Sequence, residues 1–191
     1  MYDLVKRIID FIASLLTIIF MFPVLCLVAV VIKCDSKGPV IFKQQRHGRN
    51  QKLFTIYKFR TMRTDTPNVS TENLGDPSVY MTKIGEFLRK SSLDELPQLF
   101  NILKGDMSIV GPRPALYNQY DLIEMREKVK VNSIRPGLTG YAQVRGRDFI
   151  TDTEKVEFDR YYFENMNLLF DIQIIWWTVK SVSKLEGVKI N

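Results

Sequence analysis

Apolar positions dominate the first fifth of the chain. From Phe11 to Ile32 no residue is charged, about the length a membrane-spanning helix needs. Pro23 lies near the middle of this run. It cannot donate to the carbonyl of Ile19 and its ring crowds that carbonyl, so the pattern predicts a helix, a break and a second helix. Lys6 and Arg7 precede the run, and Lys33 and Lys37 follow it. Basic flanks belong on the cytoplasmic side, which predicts a re-entrant hairpin over residues 1–35 that dips into the bilayer and returns. A kinked single span is the alternative. Ser14 or Thr17 would satisfy a carbonyl freed at the break. Asp10 at the membrane edge needs a partner, and Lys6 or Arg7 one turn back would serve.

Shorter patterns follow. Val40 to Phe42 reads as a strand, and Leu53 to Met62 alternates loosely as a second, with a turn over Gly48 to Lys52. Residues 64–77 are polar and turn-rich, a mobile surface loop in the position of a lid. Thr82 to Lys90 predicts a short helix with Ile84, Phe87 and Leu88 inward. Ser92 reads as an N-cap with Glu95 completing a capping box. Leu96, Leu99, Phe100 and Leu103 then recur at helical spacing until Gly105. Met107 to Val110 is apolar and leads into the stiff turn Gly111-Pro-Arg-Pro114. Ala115 to Lys128, Thr151 to Met166 and Leu168 to Leu185 predict three more helices. Trp176 and Trp177 suit a membrane interface and a core helix equally. The fold class expected is α+β: the N-terminal membrane hairpin, interfacial amphipathic helices, a small sheet element and a mostly helical cytosolic domain over residues 36–191.

Charge narrows the function. The 191 residues carry a net charge of +6, which favours anionic partners. From Lys33 to Arg63 nearly every charge is positive, and Lys58 and Arg60, inside an apolar strand, stand out as functional candidates. Cys26 and Cys34 suggest no disulfide framework. His47 has no histidine partner and there is no CxxC, so nothing supports zinc. Around residues 135–147 a glycine-rich loop with Arg135, Arg145 and Arg147 could approach phosphate through backbone N–H groups and guanidinium forks. Adjacent carboxylates, Asp94 and Glu95, sit at a predicted helix start, where they would complement the helix dipole. The cations gathered around them exceed what capping requires, and suit chemistry on a phosphate attached to a lipid. A membrane-anchored basic scaffold or nucleic-acid-binding protein is the competing reading, although no nucleic-acid motif fits.

The carrying segments are Lys6-Arg7 with Asp10, the proline-broken apolar run, Ile56-Tyr-Lys-Phe-Arg-Thr-Met62, Ser92-Leu-Asp-Glu-Leu-Pro-Gln98, Lys104-Gly-Asp-Met-Ser108, Gly111-Pro-Arg-Pro114 and Arg135-Pro-Gly-Leu-Thr-Gly140. In this order they resemble the small monotopic phosphoglycosyl transferases, the bacterial sugar transferases that prime glycan assembly. One departure is Phe22, where the family often has serine before the hairpin proline. The resemblance implies transfer of sugar-1-phosphate from a UDP-sugar to undecaprenyl phosphate, with UMP leaving and Mg²⁺ required. It implies a covalent intermediate on Asp94, which also lies near the metal, with Glu95 assisting by deprotonating the lipid phosphate. Substrate phosphates and sugar would be held by Arg89, Lys58, Arg113, Arg135, Gln143 and Arg147. It places the protein at the bacterial cytoplasmic membrane with its catalytic domain on the cytoplasmic face, among membrane lipids and with no nucleic acid. The sugar, the pathway and the oligomeric state, a homodimer included, stay open.

Overall fold

The computed structural model describes residues 2–67, 74, 76–146 and 150–183. Half of the predicted lid (68–73 and 75), Arg147 and, at the end of the last predicted helix, residues 184 and 185 lie outside the described residues. The architecture is α+β and mostly helical, with one long apolar N-terminal helix and two small two-stranded sheets.

Helix α1 runs from Tyr2 to Asp35 as one 34-residue element with Pro23 inside it, about 50 Å at 1.5 Å per residue. The predicted break at Pro23 is therefore corrected to a continuous helix. A proline removes one bond of the ladder, and the bonds on either side carry the helix past it. Thr17 donates to the carbonyl of Ala13 at 2.8 Å, a turn and a half before the carbonyl that Pro23 frees. The buried positions Asp10, Ser14, Ile18, Leu25, Val28 and Ile32 form a stripe. Ile18 packs with Phe54, Ile56 and Ile102, and Leu25, Val28 and Ile32 pack with Phe59 and Leu88. Leu4, Ile8, Ile12, Ile19, Phe20 and Leu27 stay exposed.

The polar residues at the start of α1 find partners on the body rather than on their own helix. Asp10 accepts from Ser108 Oγ at 2.7 Å and from the Ile109 N–H at 3.2 Å. Arg7 donates to the carbonyls of Ile102 and Leu103, at the negative, unpaired end of a helix. Lys6 reaches Asp171 at 2.7 Å. The expected Asp10 pairing with Lys6 or Arg7 is thus replaced, because fixed donors on the body meet the buried stripe directly.

Strands β1 (Ile41–His47) and β2 (Leu53–Phe59) form an antiparallel hairpin across the predicted turn. Its basic residues hold their own chain. Arg60 donates to the Ser36 and Lys37 carbonyls, Arg46 to that of Pro114 and Arg49 to that of Ser133. Arg60 is therefore a structural tie on the end of α1 rather than a functional cation.

Next come α2 (Gly85–Lys90), a 3₁₀ turn over Leu93–Glu95, α3 (Gln98–Lys104), β3 (Ser108–Val110), α4 (Tyr120–Lys128), β4 (Gly137–Thr139), α5 (Tyr141–Gly146), α6 (Asp152–Asn165) and α7 (Leu168–Ser183). Strands β3 and β4 pair in parallel, Ser108 opposite Gly137. This corrects the reading of the glycine-rich stretch as a phosphate cradle. A Cβ on Gly137 would lie 2.1 Å from the Gly111 nitrogen, so backbone presses on backbone here. The Gly111 N–H is taken by Thr139 O and the Gly137 N–H by Pro112 O, both at 2.9 Å. Helix α6 starts with the Thr151–Glu154 capping box. Behind it Tyr162, Ile174, Phe170 and Trp177 build an aromatic core. The two tryptophans divide: Trp177 packs inward and Trp176 is 67% exposed, as neighbours about 100° apart on a helix must.

Candidate active site

The chain reverses between α2 and α3 to present Asp94 and Glu95. Ser92 adopts φ 57°, in the left-handed region, and its side chain makes no cap hydrogen bond. The expected N-cap is corrected on this ground, since an N-cap residue needs extended backbone. Helix α3 starts only at Gln98, after Pro97. The carboxylates therefore stand on the short 3₁₀ turn, pinned at both ends by Leu93 and Leu96, which pack into the core.

The neighbours have opposite surroundings. Glu95 accepts from Lys58 Nζ at 2.6 Å and from Arg113 Nη2 at 3.2 Å. Burial pushes its carboxyl up, but Lys58 and Arg113 outweigh this and hold it far below the usual carboxylate range. A carboxylate so held is a weak base. Asp94 is only 7% exposed, and its carboxylate accepts no hydrogen bond among the described residues. Burial pushes it up to about 6, with Lys58, Arg89 and Arg113 pulling down and Glu95 adding to the rise. Burial also lowers Lys58, against the pull of Glu95. The result is one bare carboxylate facing a cation group that its neighbour holds in place.

Arg113 comes from the turn after β3. Arg126 on α4 fixes that turn by donating to the Arg113 carbonyl at 2.8 Å while its other edge grips Asp159 of α6. Both partners of this pair are buried. Replacing Arg126 by Met strands a buried carboxylate, so we expect a stability loss of about 3–5 kcal/mol in denaturant unfolding. Adding Asp159→Leu should recover most of it, and no recovery would exclude the ion pair as the cause.

The structure thus gathers Asp94, Glu95, Lys58, Arg89 and Arg113 into one electrostatic group. Arg135 lies elsewhere: its Nε donates to Gly105 O, and the charges acting on it are Arg49, Arg7, Asp10 and Asp3. Gln143 donates to Leu138 O at 3.2 Å, on the first turns of α5. Sequence reasoning missed Arg126 and Arg46. Arg46 acts on Glu95 and Arg113 through its charge and ties down Pro114. Each sits in an unremarkable polar pattern, and only the tertiary fold aims it at the turn.

Among the described residues no group of three or more His, Cys, Asp or Glu could hold a metal. The bare Asp94 carboxylate is nonetheless a suitable single ligand for Mg²⁺, which commonly takes one or two carboxylates and completes its shell with substrate phosphates and water.

Comparison with known proteins places the chain in a family. The chain matches the family described as "Bacterial sugar transferase" over residues 1–185. It is 39% identical over 186 residues to the uncharacterized sugar transferase EpsL of Bacillus subtilis (strain 168), covering 97% of this chain and 91% of that one. It is 45% identical over 190 residues to the UDP-glucose:undecaprenyl-phosphate glucose-1-phosphate transferase of Escherichia coli (strain K12), covering 92% of this chain and 39% of that one. It is 37% identical over 188 residues to the UDP-N-acetylgalactosamine-undecaprenyl-phosphate N-acetylgalactosaminephosphotransferase of Aeromonas hydrophila, covering 95% of this chain and 44% of that one. The chain spans nearly all of the first relative and less than half of the other two. With the family matched along almost its whole length, this chain belongs to the bacterial sugar transferases and is a phosphoglycosyl transferase.

Proposed function

We propose that this chain moves sugar-1-phosphate from a UDP-sugar to undecaprenyl phosphate through a covalent intermediate on Asp94. The observation that carries the reading is the asymmetry of the two carboxylates. An Asp94 oxygen attacks the phosphorus bearing the sugar, the bond from that phosphorus to the UMP oxygen breaks, and UMP leaves. An oxygen of undecaprenyl phosphate then attacks the same phosphorus, and the acyl phosphate bond breaks to return Asp94. Attack of anion on anion needs positive charge fixed in advance, which Lys58, Arg89 and Arg113 supply. Glu95 acts by holding Lys58 and Arg113, rather than as a base. Mg²⁺, held by Asp94 and the substrate phosphates, would supply further charge neutralisation.

Helix α1 would anchor the enzyme. It is long and apolar enough to cross a membrane by length and composition. Its two ends touch the same body, Asp10 at Ser108 and Asp35 at the Ile84 N–H. That favours both ends on one side of the bilayer, the cytoplasmic side by its basic flanks.

The test is the chain in nanodiscs with a panel of UDP-sugars and Mg²⁺ but no undecaprenyl phosphate. Intact mass should rise by one sugar phosphate for the right donor, with one equivalent of UMP released. Undecaprenyl phosphate should then discharge the adduct. Turnover with no adduct under rapid quench would defeat the covalent route.

A further inference from the structure

Beside the start of α1 lies a second cleft, lined by Tyr2, Lys6, Arg7, Arg49, Ser108 and Arg135 together with acidic Asp3 and Asp10. We propose that it binds the phosphate of a membrane lipid, a bystander phospholipid rather than the acceptor. The inference rests on the membrane reading of α1.

Three guanidinium groups converge here from distant parts of the chain, and Arg135 feels repulsion from both Arg49 and Arg7. Arg7 spends both terminal nitrogens on the carbonyls of Ile102 and Leu103, whereas the other two are anchored by one edge. Arg49 uses Nε on Ser133 O at 2.8 Å, and Arg135 uses Nε on Gly105 O at 3.0 Å. That leaves the terminal nitrogens of both without a hydrogen-bond partner among the described residues. Anchored guanidinium ends of this kind match phosphate oxygens, which take forked donors. The acidic residues do not cancel them. Asp10 is committed to Ser108 and Ile109, and the Lys6 charge is matched by Asp171. With Asp171 counted, the four cations face three carboxylates, an excess of one charge that suits a phosphodiester. Met166 lines the cleft, and exposed apolar side chains stand on the two helices that the Lys6–Asp171 bridge joins, Leu4 and Ile8 on α1 and Leu169 and Ile172 on α7. Acyl chains leaving a bound headgroup would meet those side chains.

Native mass spectrometry of the full chain, released from nanodiscs of phosphatidylglycerol and phosphatidylcholine, tests this. Wild type should retain one phospholipid, and Arg49→Gln/Arg135→Gln should lose at least about tenfold of that adduct. Arg49→Gln alone, at an exposed position, should lose part of it, and keeps the test valid if the double variant unfolds. Lys90→Gln/Lys128→Gln, which removes exposed cations elsewhere, should retain it. Equal adduct in all variants would overturn the site. One-for-one displacement by added undecaprenyl phosphate would overturn the bystander assignment and make the cleft an acceptor site. Membrane-fraction partitioning is measured in parallel: a wild-type chain that fails to partition defeats the anchor reading, whereas adduct loss with partitioning intact isolates the cleft.

Discussion

Asp94→Asn is expected to abolish turnover, by about four orders of magnitude or more, the scale seen when a nucleophile is removed, while making the protein more stable. The two effects have one origin. Burial raises the Asp94 carboxyl from 3.8 to about 6. Between those values the folded protein holds the proton more tightly than the unfolded chain does, so stability falls as pH rises through that window. Above it the ionised carboxylate is held at a cost, and asparagine removes that cost less the penalty for burying an amide. We expect a gain of about 1–2 kcal/mol near neutral pH, read from denaturant midpoints. A second consequence is that kcat/KM for the donor should fall as pH drops below about 6, since the neutral acid is no nucleophile. An Asp94→Asn variant that turns over, or that is less stable near neutral pH than wild type, would remove Asp94 from this role.

Glu95→Gln is expected to do the reverse to the fold. Glu95 lies below its ordinary 4.5 because Lys58 and Arg113 outweigh its burial. Its stabilisation is therefore complete above that ordinary value and fades as pH falls toward its own lowered one. Substitution leaves Lys58, itself shifted down by burial, without its counter-charge. Since the pair is mostly but not fully enclosed, a loss of about 2–4 kcal/mol is expected. Lys58→Met in the same chain should restore more than half of it. Activity should fall because Lys58 and Arg113 lose their shared anchor, and the restored double variant should remain impaired. If Glu95→Gln instead leaves stability unchanged and only flattens the pH profile, Glu95 is a base and not a clamp. Adjacent carboxylates with opposite signs in stability would be the signature of this division of work.

How much of this could be read from the chain depended on the range of the interaction. The long apolar run, the strand pair about the Gly48–Lys52 turn and the helix opening at Thr151 follow local rules of periodicity and turn chemistry, and all appear in the structure. Asp94 and Glu95 were visible as an odd pair of charges in a basic chain, but their different fates were not. Both fit the same local helix-start pattern, and what separates them is the bonding of Glu95 by Lys58 and Arg113, 37 and 18 residues away along the chain. The expected cap failed at Ser92 because tertiary packing of Leu93 and Leu96 fixes the turn, overriding the local preference. The glycines of residues 137–140 resembled a phosphate loop in composition. Their use in a parallel strand pair was hidden, since strand partners across that distance leave no periodic mark. Arg135 was grouped with the active-site cations by motif, and the fold sends it to the start of α1.

The bridge from Lys6 to Asp171 links positions 165 residues apart. At about 5–20 residues per second of synthesis, the first helix leaves the ribosome roughly ten to thirty seconds before its last partner exists. During that interval Lys6 has no Asp171 to meet, and Asp10 waits for Ser108. The lipid bilayer is then the only environment at hand that suits the apolar outer face. The nascent helix would settle at the membrane first, and the body would be assembled onto it afterwards, with α7 as the closing latch.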